Sequence, residues 1–482
     1  MWTPWAQWVR FSLLVLLVCS CAESLAISTT VSVPDHTQVP SELVSDLGFQ
    51  DWKRFLGKIE KFVKSRFSLL GQKGSLSMEN RLPDIFQILP SAEEVIRSFN
   101  ETGVMPQVPT EVLTISGYGN WTDEGWNVRF RGTVYKQPNI SQLMLHALAS
   151  LFLLGTPVTK LAAANYAHVV NMTRSVFILK QSHTKVTFHV TSNPPPNLDN
   201  GDLQQSTPEN QYLDIPEITN LEGDFDYFLP VMNISGGLLP GDETNRTQRV
   251  SVFPQGTDTG NSTAYLVPPS GLTLISDIDD VLRVSTIYSI KNGLFNLFGR
   301  PFYPWMNMPE IFANWSRSLP DLHFHYLTTS PEQLTRPYVD FIYKTYPAGS
   351  FDMRIVNFTD IGATLSIRRF LLDKVFQTFP QRKFILIGDT TNLDIMEDYP
   401  QLAIRYPGQV QCIFLRNTSS TDRSNRVPYN TKWFKSLDQQ TYMFFRVPND
   451  LSGLDIGNGH CYNETVPQNL TFGWQGLPFG TP

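Results

Sequence analysis

Three carboxylates follow the pattern of a buried strand. The stretch "LTLISDIDDVL", residues 272–282, starts with apolar residues and reaches Asp277, Asp279 and Asp280. Carboxylates this close repel one another, and burying one is costly unless a positive charge pairs with it. The sequence therefore predicts a cation or a set of donors at this point.

A second group of acids follows a later apolar run. "KFILI" is followed by Asp389 and Asp394 in the pattern GDxxxxD, and between the two groups "HFHYL" is followed by Thr328. Clustered carboxylates with an open face suit magnesium, which takes one or two carboxylates, waters and substrate phosphate. The alternative is that Asp280 caps a helix and Asp389 forms a turn. The two motifs together, each after a strand, are much rarer than either alone.

These residue types could carry out phosphoryl transfer. An aspartate can attack phosphorus and form an aspartyl-phosphate. A second aspartate two residues later can protonate the leaving oxygen and then deprotonate water. A hydroxyl and a nearby cation can hold the transferring phosphoryl oxygens.

Strand and helix patterns alternate after "VPPSG", 267–271, and predict the elements that would position these residues. Apolar strands such as "LTLIS", "KFILIGD" and "VQCIFLR" alternate with helical segments such as "IRRFLLDKVFQTF". This alternation indicates a mostly parallel sheet, whose chemistry lies at the carboxyl ends of its strands. Short alternating strands before residue 268 predict a β-sandwich with a helical insertion at 140–170. We see no catalytic constellation in that part.

The N-terminus has the pattern of a signal peptide, and the alternative is a signal anchor. Twelve Asn-x-Ser/Thr sequons are typical of a glycoprotein of the secretory route. Cys412 and Cys461 remain in the mature chain and are expected to form one disulfide, the alternative being two free buried thiols. A net charge of −6 without a long basic run argues against a nucleic-acid partner. No second apolar run is long enough to predict a membrane span.

The motifs resemble the haloacid dehalogenase superfamily. More narrowly, they are similar to the catalytic domain of the fungal actin-patch-associated phosphatidate phosphatase family. "LISDIDDVL", "FHYLTTSPEQL", "YPAGSFDMRI", "FPQRKFILIGDTTNLDIMEDY" and "YPGQVQCIFLR" occur in the family's order. The resemblance implies a Rossmann-like α/β catalytic domain preceded by a β-rich, sandwich-like domain, in an α+β multidomain chain. The predicted divisions are a signal peptide at 1–26, a helical and loop region at 27–107, the β-rich domain at 108–268, the phosphatase domain at 269–417 and an irregular tail at 418–482.

The resemblance also implies roles for five residues. Asp277 would be the nucleophile and a magnesium ligand. Asp279 would be the general acid and base, with its backbone carbonyl facing the metal. Thr328 would hydrogen-bond the phosphoryl group. Asp389 would complete the magnesium site, and Asp394 would bind or orient the metal's waters.

Two positions depart from the family pattern. Val281 replaces a threonine that mainly shapes the turn. Arg368 stands at the position of the family's catalytic lysine and offers a planar fork instead of a point charge. Lys374, on another face of the same predicted helix, is the second choice for that cation.

The segment 292–309 follows the first motif, where the superfamily has a flap over the site. Its five aromatic residues are Phe295, Phe298, Phe302, Tyr303 and Trp305. They either form an apolar lip for lipid chains or pack the flap onto the domain. The family resemblance favours a lipid phosphate, although a glycan on Asn357 would crowd a membrane approach.

The sequence as a whole predicts a secreted or vacuolar, Mg²⁺-dependent phosphatidate phosphatase that meets phosphatidic acid at a membrane surface. The alternatives are a phosphatase for soluble phosphomonoesters and a non-catalytic glycoprotein that binds lipid or a surface.

Overall fold

The computed structural model describes residues 107–140, 142–153, 158–192, 210–232, 238–287, 290–354, 367–418 and 431–468. Within these ranges the chain forms a nine-stranded sheet before residue 268 and a six-stranded sheet after residue 271. The predicted signal peptide and nearly all of the region predicted at 27–107 lie outside the described residues.

The first sheet is a mixed sheet. Its strands are β1 (Thr110–Ile115), β2 (Tyr118–Thr122), β3 (Gly125–Lys136), β4 (Leu179–Lys180), β5 (Thr187–Ser192), β6 (Asn210–Asp214), β7 (Asp224–Val231), β8 (Gln248–Pro254) and β9 (Ser262–Val267). The order is β1-β3-β2-β9-β8-β5-β6, β4 and β7 also pair with β3, and only β2 and β9 run parallel. Helices α1 (Gln142–Phe152) and α2 (Ala163–Val176) separate β3 from β4.

The first sheet folds over an apolar core of its own. β5 alternates half-buried and buried residues, so that Phe188 and Val190 point to one face. Phe188 stacks on Phe130 of β3 with ring centroids 5.2 Å apart, although β2, β9 and β8 lie between β3 and β5 along the ladder. The two ends of the sheet therefore pack face to face.

The second sheet is entirely parallel, and strands and helices alternate along it as predicted. Its elements are β10 (Leu272–Asp277), α3 (Ile290–Phe298), α4 (Met308–Ser318), β11 (His323–Pro331), α5 (Thr335–Thr345), β12 (Ser350–Arg354), α6 (Ile367–Thr378), β13 (Lys383–Asp389), α7 (Leu393–Arg405), β14 (Val410–Arg416) and β15 (Tyr442–Phe445). The strand order is β12-β11-β10-β13-β14-β15. Every residue of β10 is buried, as a central strand covered on both faces requires. The described chain is thus an α+β structure with one mixed and one parallel sheet.

The tail is less irregular than the sequence suggested. Tyr442–Phe445 adds a sixth parallel strand beside β14, and a run of four residues is too short to show a period. Cys412 of β14 and Cys461 form the expected disulfide with their Cα atoms 5.5 Å apart, so the free-thiol alternative is wrong. Among the described helices, none has the length and apolarity that crossing a membrane requires.

Candidate active site

The carboxyl ends of β10, β11 and β13 bring the predicted residues to one edge of the parallel sheet. Asp277 ends β10 and is level with Leu327 of β11, so Thr328 follows along the same edge. β13 pairs with the other side of β10 and ends at Asp389. The acids are therefore neighbours because the sheet is parallel and β10 is central.

Asp277 is buried and accepts two hydrogen bonds. The backbone N–H of Ile278 donates to Oδ1 at 2.9 Å, and Nη2 of Arg368 donates to Oδ2 at 3.2 Å. Burial raises the pKa of Asp277 to about 6, against the opposing charge of Arg368 and with added repulsion from Asp279. The carboxylate is the form of an aspartate side chain that can act as a nucleophile.

Arg368 lies on α6 with only 1% of its surface exposed. Its Nε and Nη1 have no hydrogen-bond partner. Burial acts to lower the pKa of Arg368, but Asp277 and further acidic groups, Asp394 and Asp389 among them, raise it overall. A buried guanidinium with unsatisfied donors is costly, and an oxyanion placed beside it would satisfy them. The structure thus places Arg368, rather than Lys374, at Asp277.

Asp389 is fully buried, and only one of its two carboxylate oxygens accepts hydrogen bonds. Oδ1 accepts from the Thr391 backbone N–H at 2.7 Å and from the Thr391 hydroxyl, whereas Oδ2 has no hydrogen-bond partner. Burial and repulsion from Asp277 and Asp280 raise the pKa of Asp389 to about 8. Asp394 stands in the first turn of α7, close enough for its charge to act on Arg368.

This donor set suits magnesium in its chemistry. Two buried carboxylates, Asp277 and Asp389, have raised pKa values, and Oδ2 of Asp389 has no protein donor. Over the ranges that the structure describes, no three His, Cys, Asp or Glu side chains are arranged to hold a metal ion by themselves. Mg²⁺ needs only one or two carboxylates when water and substrate phosphate complete its shell, so the two findings agree.

Asp279 is held by a cage of donors. It accepts hydrogen bonds from Ser285 at 2.7 Å, from Thr328 at 2.9 Å and from Tyr338 at 3.0 Å, and Nε of Arg283 lies 3.1 Å away. Thr328, predicted to bind the phosphoryl group, therefore donates to Asp279 in this structure. These contacts hold the Asp279 side chain in place two residues after Asp277.

Asp280 braces the turn after β10. Its φ of +56° is in the left-handed region, and its carboxylate accepts the backbone N–H groups of Ser285, Thr286 and Ile287 at 3.1, 2.6 and 2.8 Å. This pattern confirms a structural role for the third acid. Val281, the departure from the family's threonine, is completely buried in the same turn.

The aromatic segment 292–309 mainly packs onto the protein. Phe298 is buried and stacks on Phe152 of α1 at 3.9 Å, and Trp305 is 1% exposed. Tyr303, 51% exposed, and Met306, 49% exposed, are the large apolar side chains of the described part of the segment that face solvent. The packing interpretation therefore holds for most of its rings.

The sequons differ in accessibility. Asn357 lies outside the described residues. Asn417 is completely buried, so the folded protein does not offer it for glycosylation. The exposed sequon residues are Asn139, Asn171, Asn245, Asn261 and Asn314.

Sequence reasoning missed three residues of the site. Arg283 contacts Asp279 and lies 3.9 Å from the Phe302 ring centroid, and Tyr338 of α5 donates to the same carboxylate. Arg416 ends β14 and donates to the backbone carbonyl of Asp280. Arg416 had a usable signal, because it is a cation directly after an apolar strand.

The comparison with known proteins bears on only one segment of the chain. Residues 272–417 match the family described as phosphatidate phosphatase APP1, catalytic domain. The resemblance to that family is confirmed. Phosphatidate phosphatase APP1 of Saccharomyces cerevisiae (strain ATCC 204508 / S288c) is 28% identical over 164 residues, which cover 33% of this chain and 28% of the yeast protein. The chain thus aligns with less than a third of that relative's length.

Solved structures add no argument. Bacteroides uniformis β-glucuronidase 2, bound to cyclophellitol-6-carboxylate aziridine, is 12% identical with a TM-score of 0.19, over 64% of this chain and 36% of that one. A carbohydrate esterase is 10% identical with a TM-score of 0.17, over 64% of this chain and 88% of that one. Both scores are too low to bear on fold or function.

Proposed function

We propose that this protein is a Mg²⁺-dependent phosphatidate phosphatase that converts phosphatidic acid to diacylglycerol and phosphate. The observation that carries the proposal is the meeting of Asp277, Arg368 and Asp389 at one edge of a parallel sheet. That edge lies within the segment matched to a phosphatidate phosphatase catalytic domain.

The proposed fold of this segment is the Rossmann-like haloacid dehalogenase type. Its support is the strand order β12-β11-β10-β13-β14, in which the chain runs outward from β10 first on one side and then on the other. Ligands of such sheets bind outside the carboxyl ends where the strand order reverses. Asp277 ends β10 at that point.

The reaction proceeds in two steps on Asp277. Its carboxylate attacks phosphorus, and the bond to the diacylglycerol oxygen breaks while Asp279 gives that oxygen a proton. Water then attacks the aspartyl-phosphate, its proton passes to Asp279, and phosphate leaves. The unpartnered N–H groups of Arg368 hold the phosphoryl oxygens. Mg²⁺, held by Asp277, Asp389, the carbonyl of Asp279 and, through water, Asp394, would neutralise charge on those oxygens.

A phosphatase for soluble phosphomonoesters is the second candidate. The observation that favours it is the burial of Phe298 and Trp305, which leaves Tyr303 and Met306 as the exposed apolar side chains of the described segment 292–309. A lipid-binding lip would expose more apolar surface than these two side chains supply.

The experiment measures phosphate release from phosphatidic acid micelles and from a short-chain soluble analogue, with Mg²⁺ or with EDTA. We expect Mg²⁺-dependent release from the micelles and a loss of about 10³-fold or more in Asp277→Asn, because the nucleophile is gone. Asp373→Asn is the matched control, since Asp373 pairs with Arg405 on the far side of α6. Unchanged turnover by Asp277→Asn would contradict the mechanism. Equal rates on the soluble analogue would favour the second candidate, and binding without turnover would favour a non-catalytic protein.

We also propose passage through the secretory pathway, to the cell exterior or the vacuole. The exposed sequon residues support it. A mass loss on enzymatic deglycosylation of protein secreted by a eukaryotic host tests it, and an unchanged mass would contradict it.

A further inference from the structure

Two of the cations on helix α6, Arg368 and Lys374, point to different parts of the molecule. Arg368 donates to Asp277 at the strand ends. Lys374, six residues later, places Nζ 2.8 Å from Oδ2 of Asp226. Asp226 belongs to β7 of the nine-stranded sheet, so the helix that carries the site arginine is anchored to the other sheet.

Asp226 is itself fixed in place. Nε and Nη2 of Arg129 donate to its two oxygens at 2.7 and 2.8 Å. Nη1 of Arg129 in turn donates to both oxygens of Asp352 on β12 at 3.0 and 3.1 Å. A bidentate arginine pair has a defined geometry, so the partner offered to Lys374 is preorganised.

A second contact of the same kind holds the loop after β11. Nζ of Lys180 on β4 contacts Oδ1 of Asp224 at 3.0 Å and also contacts Glu332. Glu332 is buried and follows Thr328 closely in the chain. Asp224 and Asp226 are two residues apart on β7 and share a face, whereas Phe225 between them enters the core of the first sheet.

We propose that this charged face of the nine-stranded sheet positions the reacting groups, and that Lys374 with Asp226 is its main contact. Neither residue touches a reacting atom. They hold α6 so that Arg368, about 9 Å away along the helix axis, stays at Asp277. A displacement of about 1 Å at a catalytic group is enough to cost about 10²-fold in rate. The inference rests on the proposed role of Arg368.

The test compares Lys374→Met, Lys374→Arg and Arg405→Met in the full chain. Arg405→Met is the matched control, because it removes a cation that pairs with another residue of the same helix, Asp373. Three quantities are measured for each: kcat on phosphatidic acid, affinity for inorganic phosphate and the thermal midpoint.

We expect Lys374→Met to lower kcat and phosphate affinity by about 10-fold or more. Lys374→Arg should recover most of both, and Arg405→Met should stay within about twofold of the wild type. In an Arg368→Met background, Lys374→Met should change the residual rate by less than about twofold, since the group to be positioned is gone. A merely structural role would lower the thermal midpoint and leave kcat of the folded protein unchanged.

Two results would overturn positioning: wild-type kcat and phosphate affinity in Lys374→Met, or an equally large effect in the Arg368→Met background. If the wild type releases no phosphate, the proposed function fails, and the phosphate affinities still decide about positioning. If the wild type releases phosphate and Lys374→Met has the same kcat and phosphate affinity, only the positioning proposal fails. A wild type that neither turns over nor binds phosphate contradicts both.

Discussion

Two buried clusters in this protein pair carboxylates with arginines, and they differ in how completely the charges are satisfied. At the contact between the sheets, both oxygens of Asp352 accept hydrogen bonds from Arg129, and Arg131 donates as well. At the strand ends, Oδ2 of Asp389 and two nitrogens of Arg368 have no partner. Both oxygens of Asp352 in the first cluster have donors without a ligand, although Nε of Arg131 has no partner, whereas one oxygen of Asp389 in the second cluster has no donor.

The pKa values follow the same division. Burial raises the pKa of Asp352, but Arg129, His325 and Arg131 outweigh it and hold the pKa well below its usual range. Burial and repulsion from neighbouring acids raise the pKa of Asp277 to about 6 and that of Asp389 to about 8. Burial alone does not decide the direction of the shift; the charges of the neighbouring groups do. Incompletely paired, ionisable clusters at a sheet edge are typical of binding sites.

The largest effect on stability is expected at Asp352. Asp352→Asn leaves Arg131 buried without its carboxylate partner and removes one of the two carboxylates paired with Arg129, which costs about 3–5 kcal/mol in free energy of unfolding. Urea unfolding should show a lower midpoint at an unchanged slope. Asp214→Asn, which removes the exposed partner of Lys185, is the control and should unfold like the wild type. A wild-type midpoint for Asp352→Asn would remove the distinction between the clusters.

At the strand-end cluster, removing a carboxylate is expected to raise stability at high pH rather than lower it. The folded-state pKa of Asp389, about 8, is above its ordinary value near 4, so its contribution is fully present below about pH 4 and is lost as pH rises through 8. Asparagine resembles the protonated form and avoids this loss. Asp389→Asn should therefore be more stable than the wild type at pH 9 by about 1–3 kcal/mol, although inactive.

The measurement is urea unfolding at pH 5 and pH 9 in EDTA. Added Mg²⁺ should stabilise the wild type at pH 9 and leave Asp389→Asn unchanged, since the variant lacks a proposed ligand. If Asp389→Asn is less stable than the wild type at pH 9 without metal, the folded protein stabilises the Asp389 carboxylate, contrary to the prediction.

The strand-end cluster could be predicted from the sequence because its signals are local. Asp277 and Asp389 each follow an apolar strand directly, and alternating helices imply that parallel strand ends share an edge. Arg368 could be placed on the correct helix, and its contact with Asp277 followed from the family pattern. Arg283 and Tyr338 could not be predicted, because their contact with Asp279 depends on how the turn after β10 and helix α5 fold back.

The contact between the sheets could not be predicted in the same way. Arg129 and Asp352 are 223 residues apart, and the string "YPAGSFDMRI", which contains Asp352, does not indicate its partner. Their pairing depends on which face of β3 meets β12, which strand periodicity does not specify. Lys374 illustrates the difference: its position on another face of the predicted helix made it the second choice for the site cation, but only the fold shows that it contacts Asp226.

Asp224 is intermediate between Asp352 and Asp389 in how it is paired, and its substitution has the smallest predicted effect on stability. Oδ1 contacts Lys180, whereas Oδ2 has no partner. Burial and repulsion from Glu332 raise the pKa of Asp224 to about 7. Its contribution to stability is therefore complete below about pH 4 and is lost as pH rises through 7.

Asp224→Asn removes that dependence. Between pH 5 and pH 8 the wild type should lose about 1–2 kcal/mol more unfolding free energy than the variant, measured by urea unfolding. Asp340→Asn, at an exposed position on α5, should retain the wild-type dependence. Parallel loss in Asp224→Asn and the wild type would mean that the proton is not on Asp224. Lys180 would then pair with Asp224 as effectively as Arg129 pairs with Asp352. The lack of a partner for Oδ2 of Asp224 would then have no effect on stability.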